Sequence, residues 1–465
     1  MTADTPKDRA TLPPSKPKGR WNRIFGRFCL ALVLVAIASH GIWSIVESHL
    51  LKKQIAAIRA AGEPILPEDL IVPNVDAPDN AVAQLLGAGK MVKRDDDAWR
   101  DFAALEPAFP LRPDEVKTID AIVGRSGAAL DRVANAQKLT RMDWPPFHIL
   151  SGPDQEIFAD VRQLAYVLGT AAMVDHQRGD DRAALRHIRQ IMFIAQVTDR
   201  HPSLLGHLVA VGVHAIAVNK ILQITPDLRV GGNEIDANAD AVRETIGNLL
   251  DDRAIRDGFI RGMIGERVLS LDMSRNMIYG NKSGVASMIG RYGIRPLLNH
   301  NARFVVEEMT RVIPVGNLPN WPTARPAIPA RSEGNSPLTM FARIIEPAFD
   351  RAVEHHFRIL TDQHLAAVAL ALRWYAVDHD GKLPVTLDEL VPKYLPTVPR
   401  DPMAASDKSL LYHAGDDPIV YSVGANGTDD SGSEKPLPTS HGEANEWTRL
   451  DRVVHLKRQP RQEDR

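Results

Sequence analysis

With 465 residues, 44% of them hydrophobic and 25% charged, the chain has the composition of globular material and length for two or three folded units. Lysine and arginine number 56 against 58 acidic residues, so there is no overall field to gather nucleic acid, which is not an expected partner. The one cysteine, Cys29, excludes an intramolecular disulfide and a cysteine-based zinc site.

Residues 1–27 carry Pro13, Pro14 and Pro17 among lysines, which predicts a disordered, basic cytoplasmic tail. From Phe28 to Val46 no residue is charged, and a helix of that length spans roughly 28 Å, close to the hydrocarbon thickness of a bilayer. Residues 28–46 are therefore expected to form a single transmembrane helix with membrane lipid as its partner. Arg9, Lys16, Lys18, Arg20, Arg23 and Arg27 precede the run, and only Lys52, Lys53 and Arg59 follow closely. That asymmetry places the N-terminus in the cytoplasm and the bulk of the chain outside the inner membrane of a bacterial-type cell. Ala36-Ile37-Ala38 has the small-x-small form that signal peptidase accepts, so a cleaved leader is the alternative. The long basic lead and the apolar residues continuing past Ala38 favour an uncleaved anchor.

Residues 47–312 read as a mainly helical extracytoplasmic domain. Gly62, Pro64, Pro67, Pro73 and Pro78 punctuate an extended stretch, and a helix restarts near Asp79 through Asn80 to Leu86. Ile157, Val161, Leu164, Leu168 and Ala172 recur at helical spacing. Gly179-Asp180-Asp181 breaks that pattern before Ala184, Ile188, Ile191 and Ala195 resume it, which predicts an antiparallel helical hairpin. Its turn looks like half of a tetratricopeptide repeat, without a second copy. A third helix from Pro202 to Ile224 is apolar all round and belongs in a core. Its rival reading as a second span is opposed by His207, His214, Asn219 and Lys220. Further helices are expected over Asn238 to Leu271 and Asn301 to Val312.

Residues 313–340, with six prolines from Pro314 to Pro337, read as a Pro-rich linker. A long helix over residues 341–380 follows, stopped by Gly381. In residues 381–435, Thr386 and Glu389 form a capping-box pattern, and Leu410 to Tyr412 and Ile419 to Val423 read as a β-hairpin. Residues 436–465 read as a C-terminal tail. The expected fold class is mainly α: one N-terminal transmembrane helix, a helical hairpin-type domain, then a small α+β module.

The long helix, the Leu383-Pro384 turn, Pro399-Arg400-Asp401-Pro402 and Tyr421-Ser422-Val423-Gly424-Ala425-Asn426-Gly427 together resemble the C-terminal region of the type II secretion major pseudopilin, over about residues 365 to 435. The same pattern, with Asp79-Asn80-Ala81, Asp160-Val161-Arg162-Gln163-Leu164-Ala165 and the hairpin, also resembles large families of uncharacterised, membrane-anchored bacterial proteins. The chain departs from a pseudopilin in lacking the prepilin cleavage motif beside its apolar run. The pseudopilin likeness implies a calcium loop here at Asn426, Asp429 and Asp430, where closely spaced oxygens suit a hard cation. The alternative is a tight Asn426-Gly427 turn with solvated acids. No other cofactor is expected.

His201, His207 and His214 in and before the third helix, and His355, His356 and His364 in the long helix, are candidate bases or metal ligands, with satisfied core histidines as the alternative. Glu266-Arg267 and Glu307-Glu308 are candidate acid and base groups whose bland reading is a solvated, paired helix face. Gly87-Ala88-Gly89-Lys90 lacks the first glycine of a phosphate loop, and no His-Glu-x-x-His or Gly-x-Ser-x-Gly occurs. A structural or interaction role in the envelope is the expected function. The alternatives are an extracytoplasmic hydrolase using His207 or His214 between helices, and an accessory partner of a type II secretion-like machine.

Overall fold

A computed structural model describes residues 19–459 apart from 74, 95, 146–152, 280–284, 330–341 and 439–444. The expected tail at residues 1–18 and most of the second half of the expected linker lie outside the described residues.

The first helix, α1, runs unbroken from Gly19 to Ala60. It starts inside the stretch expected to be disordered, because the apolar run that nucleates it carries the helix back through Trp21, Ile24 and Phe25. The segment after it packs as a chain of short helices: α2 (Ala81–Gly89), α3 (Asp97–Ala103), α4 (Pro113–Arg125) and α5 (Gly127–Ala136). Asn80 caps α2 by accepting the Val82 amide. Its own amide donates to the carbonyls of Val75 and Asp143, and the Asp143 amide closes the ring. The expected hairpin is α6 (Pro153–Gln177) and α7 (Asp181–Thr198). Gly179 turns it with φ 85, and Asp180 caps α7 through the Ala183 amide.

The third helix, α8 (Leu204–Ile224), starts beyond Pro202 because Ser203 is its cap and accepts the Gly206 amide. The helix expected over Asn238 to Leu271 is two, α9 (Ala239–Leu249) and α10 (Asp252–Tyr279), and α11 (Val285–Val312) begins well before Asn301. Leu250 and Asp251 separate α9 from α10. The stretch expected as a linker is structured up to Pro329: a 3-10 turn (Ile313–Asn317), α12 (Trp321–Ala324) and a second 3-10 turn (Arg325–Ala327). Trp321 donates its amide to the Pro402 carbonyl. The long helix α13 (Ala342–Asp378) ends at Asp380 and Gly381, both with positive φ.

The described residues are thus mainly helical with one small antiparallel sheet. Strand β1 (Leu411–His413) pairs with β2 (Ile419–Ser422), as the hairpin reading requires. A third strand, β3 (Arg452–His455), pairs with β2, drawn from the residues read as a tail. The capping pattern holds a single 3-10 turn, Leu387–Leu390, with the Glu389 carboxylate accepting the amides of Val385 and Thr386.

Two apolar cores run through both the helical part and the C-terminal module. The larger joins α2, α6, α7, α8 and α9 to Leu365–Leu372 of α13 and to Val420 and Val454 of the sheet. The second joins Phe259 and Met263 of α10 and Met309 of α11 to Phe357 and Leu360 of α13 and to Met403 and Val423. Each fully buried side chain of this size is worth about 1.5–3 kcal/mol, so the module and the helices stabilise one another.

Among the described residues three helices are long and apolar enough to cross a membrane: Arg23–Ala60, Glu156–Gln177 and Leu204–Asp227. The apolar window of the first is 0% buried by protein, whereas 72% of the second and 50% of the third are buried.

Candidate functional site

Three of the histidines singled out in the sequence, His207, His214 and His356, gather where α8, α10 and α13 cross. α10 reaches the α7–α8 corner closely because Gly258, Gly262 and Gly265 share one face. A Cβ at Gly258 would overlap the Asp199 carboxylate, and one at Gly265 the Pro202 carbonyl. Their spacing of four and three is the sequence signal that could have announced this crossing.

Asp199, the C-cap of α7, is buried and accepts a hydrogen bond from His207 Nδ1 at 2.8 Å. The Arg261 guanidinium of α10 donates to the Asp199 carbonyl. His356 of α13 donates from Nε2 to the Gly316 carbonyl at 3.1 Å. Its ring lies 5.8 Å from that of His207, with Phe259 against both. Further along α8, His214 Nδ1 accepts from the Gln363 amide at 3.1 Å. His207 Nε2, His356 Nδ1, His214 Nε2 and Gln363 Oε1 have no protein partner, an unusual density of unsatisfied buried atoms. Burial pushes His214 down to about 4 and His356 well below its ordinary value, so these rings are neutral at pH 7.

His201 sits at the edge of this cluster, boxed by Trp144 and Phe158 and within 2.8 Å of Ser203 Oγ. Burial lowers it to about 4. His364 belongs to a different contact. Its two ring nitrogens reach the Arg400 carbonyl at 2.9 Å and the Asp252 carboxylate at 2.8 Å. Both partners accept only, so both nitrogens carry hydrogen and the ring is an imidazolium. Burial would lower His364, but the Asp252 bond and charge outweigh it and raise it. His355 faces a groove of about 310 Å³ instead, together with Arg358, Asp362, Trp447 and Arg452. The charges there are spent internally: Asp362 accepts from Trp447 Nε1 and Arg452 Nε, and Arg358 stacks over Trp447.

The acid pairs are also engaged. Burial raises the Glu266 carboxyl even though the Leu204 amide donates to it, and Arg267, fully buried, pairs with Glu63 just beyond α1. Arg311 holds both Glu307 and Glu308.

The expected calcium loop follows β2. Asn426 Oδ1 accepts the Thr428 amide and its Nδ2 donates to Asp430, while Asp429 accepts the Ser431 amide and the Tyr421 hydroxyl. Gly427 has φ 70, which is the geometry of the turn reading. Asp451, unmarked in the sequence analysis, fastens the loop by accepting the amides of Asp430 and Ser433. Among the described residues no group of three or more His, Cys, Asp or Glu side chains is arranged to hold a metal ion.

Sequence reasoning missed Asp199, Gln363 and Asp252, and it named Asp401 without its role. Gln363 and Asp252 lie 149 and 112 residues from the histidines they meet, and Asp199, eight residues before His207, stands outside the helix that carries the ring, so no helical spacing points to any of them. Asp401, within Pro-x-Asp-Pro, accepts from the amides of Met403 and Val423 and from Ser422 Oγ.

Chemically, the cluster unites neutral imidazoles and a carboxylate, the materials of acid–base catalysis. With His207 at 0% and His214 at 4% exposure, a substrate reaches them only by parting α8 from α13. Compared with known protein families, curated proteins and solved structures, the chain finds no match.

Proposed function

We propose that this chain is a single-pass envelope protein, anchored by residues 28–46 with its N-terminus in the cytoplasm, whose helical body and C-terminal module serve a structural or interaction role. The observation that carries the reading is the continuity of α1. Its apolar first half is bare of protein, and its second half is fastened to the body by polar contacts that cannot slide. Glu47 accepts from His300 Nδ1 at 2.9 Å and from Arg303 Nε at 3.0 Å. Burial alone would raise Glu47, but these two partners hold it below its ordinary range. Past the helix, Glu63 meets the buried Arg267. A lipid-seated helix joined this way fixes the body at the membrane surface, which suits a scaffold or docking part. The packed interior around His207 and His214 supports this reading over hydrolysis.

The C-terminal module is the proposed contact for other envelope or secretion proteins, since β1 and β3 are the edge strands of its sheet. Removing the module would take Met403 and Val423 out of a shared core, so partner tests need surface substitutions rather than deletion.

Protease added to intact spheroplasts tests the topology. A C-terminal epitope is digested and an N-terminal epitope survives until detergent is added. Survival of the C-terminal epitope would overturn the proposal.

A further inference from the structure

The apolar run of α1 contains one polar ring, His40, and a histidine in hydrocarbon is costly unless a partner satisfies it. That partner is present. His40 Nε2 donates to the carbonyl of Gly293 in α11 at 2.8 Å. The contact is the first of a series: Glu47 with His300, then Ser48 with Asn299 at 2.8 Å. The sequence separations are 253, 253 and 251, so α1 and α11 run parallel in one register. At 1.5 Å per residue, His40 lies roughly 9 Å below Val46, where the apolar run ends. The turn of α11 at Gly293 is therefore at the same depth.

Two apolar side chains of that turn fit such a depth, and the arginines on either side in sequence, Arg291 and Arg295, have stems long enough for their charge to reach the headgroups. Tyr292 is 64% exposed and Ile294 44% exposed, on a helix whose other side is already covered by α1. An aromatic and an aliphatic residue beside a span are the pair found at the boundary between headgroups and acyl chains. Pro296, inside α11, has no amide for the Tyr292 carbonyl four residues earlier. A broken ladder of this kind is tolerated at membrane depth where a neighbouring helix supplies donors.

We infer that α11 is a second membrane-embedded element, with Tyr292 and Ile294 seated in the acyl boundary of the outer leaflet beside α1. This rests on the anchor reading above and adds to it: the body is held by α1 and also dips into the same leaflet. The occupant of the exposed α11 face is lipid.

The test uses the full chain with Cys29→Ala, reconstituted in vesicles of phosphatidylethanolamine and phosphatidylglycerol. Single substitutions Ile37→Cys, Tyr292→Cys, Ile294→Cys and Val385→Cys each carry an environment-sensitive fluorophore. All four positions are exposed, so labelling leaves the packing intact. Nitroxide-bearing lipid is expected to quench the probes at 37, 292 and 294 severalfold more than aqueous iodide does, with the reverse at 385. If the probe at 37 follows lipid while those at 292 and 294 follow iodide, the anchor stands and this inference is overturned. If the probe at 37 also follows iodide, both are overturned.

Discussion

His364 of α13 donates to Asp252 at the start of α10 at 2.8 Å, and its other nitrogen donates to the Arg400 carbonyl of the C-terminal module. One charged ring thus bridges two helices and the segment leading to the sheet. His364→Ala leaves a part-buried carbonyl and a part-buried carboxylate short of a partner, although Arg256 still pairs with Asp252. A loss of about 2–4 kcal/mol is expected. Urea unfolding followed by circular dichroism measures it, and a loss under 1 kcal/mol would show the bridge to be dispensable.

Stability is predicted to fall on both sides of neutrality, for opposite reasons. His201 and His214 are lowered by burial to about 4, while an unfolded histidine titrates near 6.5. Between those values the unfolded chain binds more protons, so the contribution of each, on the order of 3 kcal/mol, is complete above about 6.5 and lost as pH falls towards 4. His364 is raised, so its contribution is complete below about 6.5 and lost as pH rises through its folded value. Melting temperature against pH is expected to flatten on the acid side in His214→Gln and on the alkaline side in His364→Gln. Unchanged profiles in both variants would remove these rings from the account.

The close crossing of α10 over the α7–α8 corner predicts an asymmetry between glycines. Gly265→Ala puts a methyl group onto the Pro202 carbonyl and is expected to cost about 1–3 kcal/mol through overpacking. Gly247→Ala, on an exposed face of α9 with open space around it, is expected to gain up to about 1 kcal/mol from helix propensity. Thermal melts of the two variants read the difference, and equal shifts would mean that the helices separate easily at this point.

The anchor contact has its own signature. Glu47→Gln keeps the shape but removes the charge that holds His300 and Arg303. A loss of roughly 1–2 kcal/mol is expected, together with faster proteolysis between α1 and the body in detergent. Protection equal to the wild type would show that the apolar contacts of Leu51, Ile55 and Ile58 with Leu271 and Val306 suffice.

Much of this architecture was legible because it is written in local periodicity. The α6–α7 hairpin follows from apolar spacing and Gly179, α13 ends just before Gly381, and β1 and β2 are short runs of strand-forming residues close together in the chain. What stayed hidden depends on distant partners. The helices α3 to α5 are short and mixed in composition, and β3 is a strand only because β2 offers an edge. The histidines were legible as candidates, but Asp199, Gln363 and Asp252, which hydrogen-bond their rings, come from other elements. A sequence that places His207 and His214 seven residues apart says which side of α8 they share, not that Phe259 of α10 meets the first and Gln363 of α13 the second.

Fractionation of the full chain and of a Leu34→Lys/Val35→Lys variant tests the anchor most directly. The wild type is expected in the pellet after alkaline carbonate, and the variant in the supernatant with its helical signal preserved, since those two side chains are exposed and a charge there disturbs no core. Wild-type protein released by a salt wash, or a doubly charged variant that still pellets, would contradict the account.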